Sequence, residues 1–235
     1  MGALRGGGVA PGHAGESTER GPGDGRLDPH AEADPGAPRP GPRPAGLGHA
    51  VEILVLDGEL WLGNRRLGRF DYAYLPAGAS VPRFGAPDEA TVLFMPDAAL
   101  SVTDPDDSMD VDVKTTGDME WEGVSQYASA DWTEVGAGIK ILHQDEDTGE
   151  MSWILASLPQ RTGIGVEVHP VVEEAYQLLG AIQGDRGLLD AGSYFWRPPD
   201  VPHGPFSNEI GSMTFFRTRG GPLETEYILE TDEIE

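Results

Sequence analysis

Residues 165–206 read GVEVHPVVEEAYQLLGAIQGDRGLLDAGSYFWRPPDVPHGPF, and this stretch decides the fold. Glu167, His169 and Glu173 stand at its head as candidate metal ligands, and a fourth, His203, follows the proline-rich turn RPPDVP. Side chains alternate faces along an extended segment, so Glu167 and His169 point the same way from one strand. Glu173 opens the next strand, whose continuation AYQLLG is apolar enough to be half buried, and GSYFWRPP is a further strand ended by prolines. Two ligands from one strand, a third from its neighbour and a fourth returned by a later strand is how a small β-barrel builds a mononuclear site in its mouth.

The same residues resemble the two motifs of the cupin superfamily. The first motif is G, five residues, HxH, three or four residues, E, six residues, G; the second is G, five residues, PxG, two residues, H, three residues, N. His169, Glu173 and Gly180 keep the first spacing, with Glu167 where the first histidine stands. Gly192, Pro198 and His203 keep the second, with Asp200 in place of Gly and Ser207 in place of Asn. The resemblance implies an all-β protein of cupin-type jelly-roll barrels and a metal held by Glu167, His169, Glu173 and His203. LHQDEDTGEMSWILASLP and RPPDVPHGPF also look like a branch of bacterial two-lobed cupins, a likeness that implies no established reaction.

At 235 residues the chain has room for two such lobes. It has no cysteine, so disulfides, thiolate ligands and a Cys nucleophile are excluded, and any metal must be held by nitrogen and oxygen. A net charge of -24 argues against nucleic acid as a partner, because phosphate binding needs concentrated Lys and Arg. Residues 1–48 contain thirteen Gly and eight Pro and almost no large apolar side chain, so a disordered tail is expected there. No stretch has the apolar length of a signal peptide core or a membrane span, so the expected location is cytoplasmic, without a membrane partner.

From Val51 the chain changes character: VEILVLDGELWLGNRRLGRFDYAYLPAGASVPRF reads as strands separated by turns at Asp57-Gly58 and Gly63-Asn64. It echoes the later stretch, LVLDGELW with QLLGAIQG, DYAYLPAG with SYFWRPPD, and SVPRF with DVPHGPF, as an internal duplication would. Placing Gly58 on Gly180 puts Ala45, Leu47, Val51 and Val81 at the four ligand positions, and none of these can bind a metal. Residues 49–100 are therefore read as a degenerate, incomplete N-terminal lobe. His49 is out of register and is read as a solvated loop residue.

Residues 101–118 are acidic and lack an apolar period, and read as the connection between lobes. Within them DPDDSMD lacks the Gly and Glu spacing of a calcium loop and reads as a solvated charge run. Residues 119–235 form the C-terminal lobe, opened by a hairpin in which GIKILH and EMSWILASL flank QDEDTG. His143 lies at the hairpin edge, outside the motif, and is not taken as a ligand.

Two neutral imidazoles and two carboxylates give a divalent ion a site of near-zero formal charge and suit Fe(II), Mn, Zn or Ni without choosing among them. Glu174 points to the opposite face from Glu173. Gln177 shares the face of Glu173 and is a candidate contact to a bound molecule. Tyr194 shares parity with Trp196, and Arg197 with Phe195; Tyr194 and Arg197 are both candidate substrate-binding residues, and Arg197 is favoured over Arg186 for an anionic group. Two readings of function stay open. One is a mononuclear metal-dependent oxidoreductase, dioxygenase-like by resemblance, or an isomerase, acting on a small oxygenated molecule. The other is a non-enzymatic module that binds or senses a metal or small ligand. The resemblance also implies pairing into a homodimer.

Overall fold

A computed structural model describes residues 45–123, 136–163 and 165–228. The expected disorder of residues 1–48 falls outside these except at positions 45–48, where Gly46 and Leu47 form a buried strand. The N-terminal half runs through β1 (Gly46–Leu47), β2 (Val51–Asp57), β3 (Leu60–Leu62), β4 (Arg65–Leu67), β5 (Tyr72–Leu75), β6 (Phe84–Gly85) and β7 (Thr91–Pro96). Three short strands follow: β8 (Val102–Thr103), β9 (Asp112–Lys114) and β10 (Glu122–Gly123). The C-terminal half comprises β11 (Ala137–Gln144), β12 (Met151–Ser157), β13 (Val166–Val168), β14 (Val172–Gly184), β15 (Gly187–Asp190), β16 (Tyr194–Arg197), β17 (Ser212–Arg219) and β18 (Glu226–Ile228). Among the described residues a single 3-10 turn, Thr116–Asp118, is helical, so the all-β expectation holds.

The strands pair antiparallel throughout. In the N-terminal half the sheets are β7-β2-β5-β9, β4-β3-β6 and β1-β8. In the C-terminal half β10-β11-β12-β17-β14-β15 form one sheet, with β16 also on β14, and β13 pairs β18.

The shift that carries Gly58 onto Gly180 also carries the pairing of one half onto the other. Val51↔Leu75 becomes Glu173↔Arg197, Val51↔Pro96 becomes Glu173↔Thr218, and Leu60↔Leu67 becomes Ile182↔Leu189. The bulge between Val55 and Asp57 recurs between Gln177 and Leu179. Just past each bulge stands the glycine, at φ 76° for Gly58 and 68° for Gly180. A Cβ there would lie 2.2 Å from the Glu89 carbonyl oxygen or 2.1 Å from that of Gly211, so only glycine fits. Asp57-Gly58 is therefore not a hairpin turn, as its dipeptide suggested, but a kink that hands the chain from one sheet to the other. The hairpin is the next one, Gly63-Asn64 between β3 and β4.

Strand alternation explains how the halves meet. On β2, Val51, Ile53 and Val55 face a core with Leu62, Leu67 and Leu75. Leu54, on the other face, packs with Tyr72 against Leu142, Ile154, Leu178 and Phe215 of the C-terminal half. A strand buried on both faces reads as a near-continuous apolar run, as VEILVL does. Each fully buried Leu or Phe in this layer contributes about 1.5–3 kcal/mol.

One acid interrupts the layer. The Glu52 carboxylate is buried and accepts hydrogen bonds from Tyr72 at 2.6 Å and from the Ser152 hydroxyl, and Arg217 lies 3.3 Å away. Arg217 also meets Glu174 at 2.6 Å, and Arg219 pairs with Asp97. This chain of charges from both halves pins their relative register, because each buried group needs its partners to offset desolvation. The 101–118 stretch, read from sequence as a connection, supplies β8 to β1 and β9 to β5. Its paired segments are too short to show an apolar period.

Candidate metal centre

Backbone pairing brings the four candidate ligands together. Glu167 on β13 forms an isolated bridge with His203, its N–H donating to the His203 carbonyl at 2.7 Å and the His203 N–H returning a bond at 3.0 Å. The carbonyl of His169, just past β13, accepts from Asp200 N–H at 2.9 Å. Asp200 occupies the motif's glycine position at φ 61°, the left-handed conformation for which glycine is otherwise used. Glu173 comes from β14, held between Arg197 of β16 and Thr218 of β17. β13 and β14 do not pair: the ligands come from two different sheets, not from neighbouring strands of one.

The His169 Nε2 lies 3.7 Å from a Glu173 oxygen and 3.9 Å from a Glu167 oxygen, and the His203 Nε2 lies 3.6 Å from the other Glu173 oxygen. Ligand atoms of Glu167, His169 and His203 all fall within 4.8 Å of one another. Donors about 2.0–2.2 Å from one ion stand roughly 3.0–3.6 Å apart. The three histidine–carboxylate contacts need at most a few tenths of an ångström of closure, and the widest pair of the Glu167, His169, His203 group needs about 1 Å.

The tautomers agree with this. His169 Nδ1 is 3.0 Å from the Glu224 carbonyl oxygen and His203 Nδ1 is 2.9 Å from that of Val201, so each Nδ1–H donates outward and each Nε2 presents a lone pair inward. Both Nε2 atoms are buried and have no hydrogen-bond partner among the described residues. Two orphaned acceptors aimed at one point with two carboxylates are what a cation would satisfy.

Electrostatics point the same way. Burial, reinforced by the Glu167 charge and opposed by Arg197, pushes Glu173 up to about 8. Burial also pushes Glu167 up to about 7, against the pull of Arg161 and Arg197. A quarter of the Glu167 side chain is exposed, and it faces a partly open cavity with a largely apolar wall, so burial still dominates its shift. Burial lowers His169, and lowers His203 to about 4, keeping both imidazoles neutral.

The cavity holds about 130 Å³ and is lined by Glu167, His169 and Glu173. Trp153 stacks on Phe216 at 5.3 Å in its apolar wall, with Phe195 edge-on to Phe216 and Phe206 against His203. Arg161, Asn208 and Tyr227 add polar groups. These three were not found from sequence, since Arg161 and Tyr227 lie outside both motifs and Asn208 is one position past the motif's asparagine.

Of the candidate substrate contacts, Gln177 does share the buried face of Glu173, but its amide is committed within the strand layer. Its Nε2 donates to the Leu179 carbonyl at 2.7 Å and its Oε1 accepts from Thr214 at 2.8 Å, bracing the β14 bulge outside the cavity lining. Tyr194 is a correction: it points away from the cavity, is 57% exposed and donates to Glu174 at 2.7 Å. Strand parity puts Phe195 and Arg197 on the inner face instead. Arg197 is buried opposite Glu173, stacked over Phe195 at 4.7 Å and 3.5 Å from Asp185, behind the lining and not in it. His143 stacks on Tyr74 at 3.6 Å, away from the ligands, and His49 is exposed.

A family model described as Domain of unknown function (DUF4437) matches residues 42–222, and the chain belongs to that family. No curated protein matches the chain. Among solved structures, a candidate dioxygenase of Nostoc punctiforme is 22% identical, with 80% of this chain and 69% of that one covered at a TM-score of 0.68. An RmlC-like cupin of Ralstonia eutropha is 17% identical over 51% of this chain and 73% of that one, TM-score 0.40. A candidate acetylacetone dioxygenase of Methylibium petroleiphilum is 15% identical over 50% and 80%, TM-score 0.41. The chain shares its fold with the Nostoc protein over 80% of its length.

Proposed function

We propose that this member of the DUF4437 family is a metal-binding cupin protein that holds one divalent transition metal on Glu167, His169, Glu173 and His203 and acts as a mononuclear oxidoreductase of dioxygenase type on a small oxygenated molecule. The observation that carries this reading is the pair of buried, partnerless Nε2 atoms facing two carboxylates that burial disfavours as free charges. An ion bound there would act as a Lewis acid for substrate oxygens and give access to dioxygen chemistry. The dioxygenase reading extends the fold of the Nostoc protein, named a candidate dioxygenase, to a site with the matching donor chemistry.

The chain's own residues supply the rest. The aromatic wall of Trp153, Phe195, Phe206 and Phe216 excludes water and stacks on a planar substrate. Arg161, within electrostatic reach of Glu167, gives the cavity a cationic side for a substrate carbonyl or carboxylate. In this reading the N-terminal half, 49–100, is a partner without ligands, and 119–235 carries the chemistry.

The test is elemental mass spectrometry on tag-free protein, followed by oxygen uptake with diketones, phenols and hydroxy acids. About one metal equivalent with substrate-dependent oxygen consumption is the expected result. Metal without turnover of any of these reduces the protein to a metal-holding module, and no metal after reconstitution with Fe(II), Mn, Zn and Ni overturns the proposal.

A further inference from the structure

We propose that the N-terminal half carries a second ligand site: an apolar cavity for a small uncharged hydrocarbon-like molecule, at the place in the repeat where the C-terminal half gathers its carboxylates and imidazoles. In the shared register Leu47, Val51, Leu75 and Val81 occupy the positions of His169, Glu173, Arg197 and His203. All four line one cavity of about 360 Å³. Leu47, Val51 and Leu75 are no more than 8% exposed, so they form a fixed floor. The rim carries Phe84, Phe94 and Leu100, which are 45%, 44% and 64% exposed.

Three features single this cavity out. Protein interiors pack densely, and side chains that replaced lost ligands for packing alone would have closed the space. Here about 360 Å³ is left open. Among the described residues no ionisable side chain lines it and Ser101 is the one polar side chain, so they do not orient a charged or multiply hydrogen-bonding ligand. An enclosed apolar cavity of about 150 Å³ takes up benzene; this half-open one has room for a bicyclic aromatic or an alkyl chain laid against its floor. The exposed Phe and Leu side chains at its mouth are the groups such a molecule would cover.

The experiment is a fluorescence titration of the full chain with the neutral probe N-phenyl-1-naphthylamine, with naphthalene as competitor. Val81→Phe fills the floor and Leu100→Asp sets a charge on the rim; each is expected to weaken probe binding by about tenfold or more. Neither residue is fully buried, and unchanged metal content in both variants reports that the fold is intact. Binding equal to the parent in both variants overturns the site. So does loss of binding in Phe195→Asp with no effect of Val81→Phe, which would put the probe in the C-terminal cavity. A parent dimer that binds no probe and becomes monomeric in Leu100→Asp would make this face an interface between copies and would equally overturn the proposal.

Discussion

Replacing Glu173 with Gln separates what the proposed centre does for binding from what it costs in stability. Glu173 is fully enclosed, and its carboxyl titrates at about 8 in the folded chain against an ordinary 4.5. A carboxyl raised on folding binds its proton more tightly in the native state, so its contribution is fully present below about pH 4.5 and is lost as pH rises toward 8. At 1.36 kcal/mol per pH unit, the metal-free parent should lose about 3 kcal/mol between pH 4.5 and pH 7 and about 5 kcal/mol by pH 9, relative to the uncharged Gln variant. Glu167, raised to about 7, adds loss of the same sign in both proteins and so drops out of the comparison. His203, lowered to about 4, acts in the opposite sense, but only between about 4 and 6.5, so the window above 6.5 isolates the carboxylates. The assay is urea unfolding of chelator-treated parent and Glu173→Gln at pH 5, 7 and 9, with metal affinity measured beside it. The expected outcome is a variant that gains on the parent as pH rises while losing most of its metal. A stability difference that stays flat from pH 5 to 9, or full metal binding by the variant, would refute the reasoning.

His169→Ala and His203→Ala should each lose most of the bound metal while Val81→Ala, at the equivalent position of the other half, keeps it; elemental analysis reads this directly. Gly180→Ala forces a Cβ to within 2.1 Å of the Gly211 oxygen at φ 68° and should cost at least about 2 kcal/mol, seen as a lowered Tm. Arg217→Met leaves Glu52 buried without its cation and should cost about 3–5 kcal/mol in urea unfolding, with part of that recovered in the Glu52→Gln, Arg217→Met double variant. Tyr194→Phe removes only a bond to Glu174 on the outer face and should leave metal content and oxygen uptake unchanged.

The convergence of the candidate ligands was legible because its information is local: each residue is placed by spacing from Gly180 or Gly192, and both glycines take a positive φ. The duplication was legible for the same reason, and the strand pairs follow it from Val51↔Leu75 to Glu173↔Arg197. What lay beyond reach depends on long-range pairing. The facing of Tyr194 and Arg197 turns on how β16 registers against β14 across a loop, and parity within one strand says nothing about that. Glu52 reads as an ordinary polar position in an alternating strand. Only the arrival of Ser152 and Arg217 from the other half makes it a buried anchor. Arg161 and Tyr227 reach the cavity through β-bridges and through β18, which no motif spans.

The two halves share one pairing scheme and differ in what faces inward from it. At the candidate ligand positions of the C-terminal half, two carboxylates that need charge compensation converge with two neutral imidazoles, and burial shifts the titration of each. A divalent ion would cancel two carboxylates at once, and each imidazole is held in the right tautomer by a backbone carbonyl that lies outside the site. At the same positions of the N-terminal half every group is aliphatic, so nothing there needs compensation and nothing could hold an ion. β2, buried on both faces, braces the strand layer behind Glu173. The Glu52–Arg217–Glu174 chain ends on the residue next to Glu173 and faces away from it, so the halves are locked together by charges that do not compete for the proposed metal.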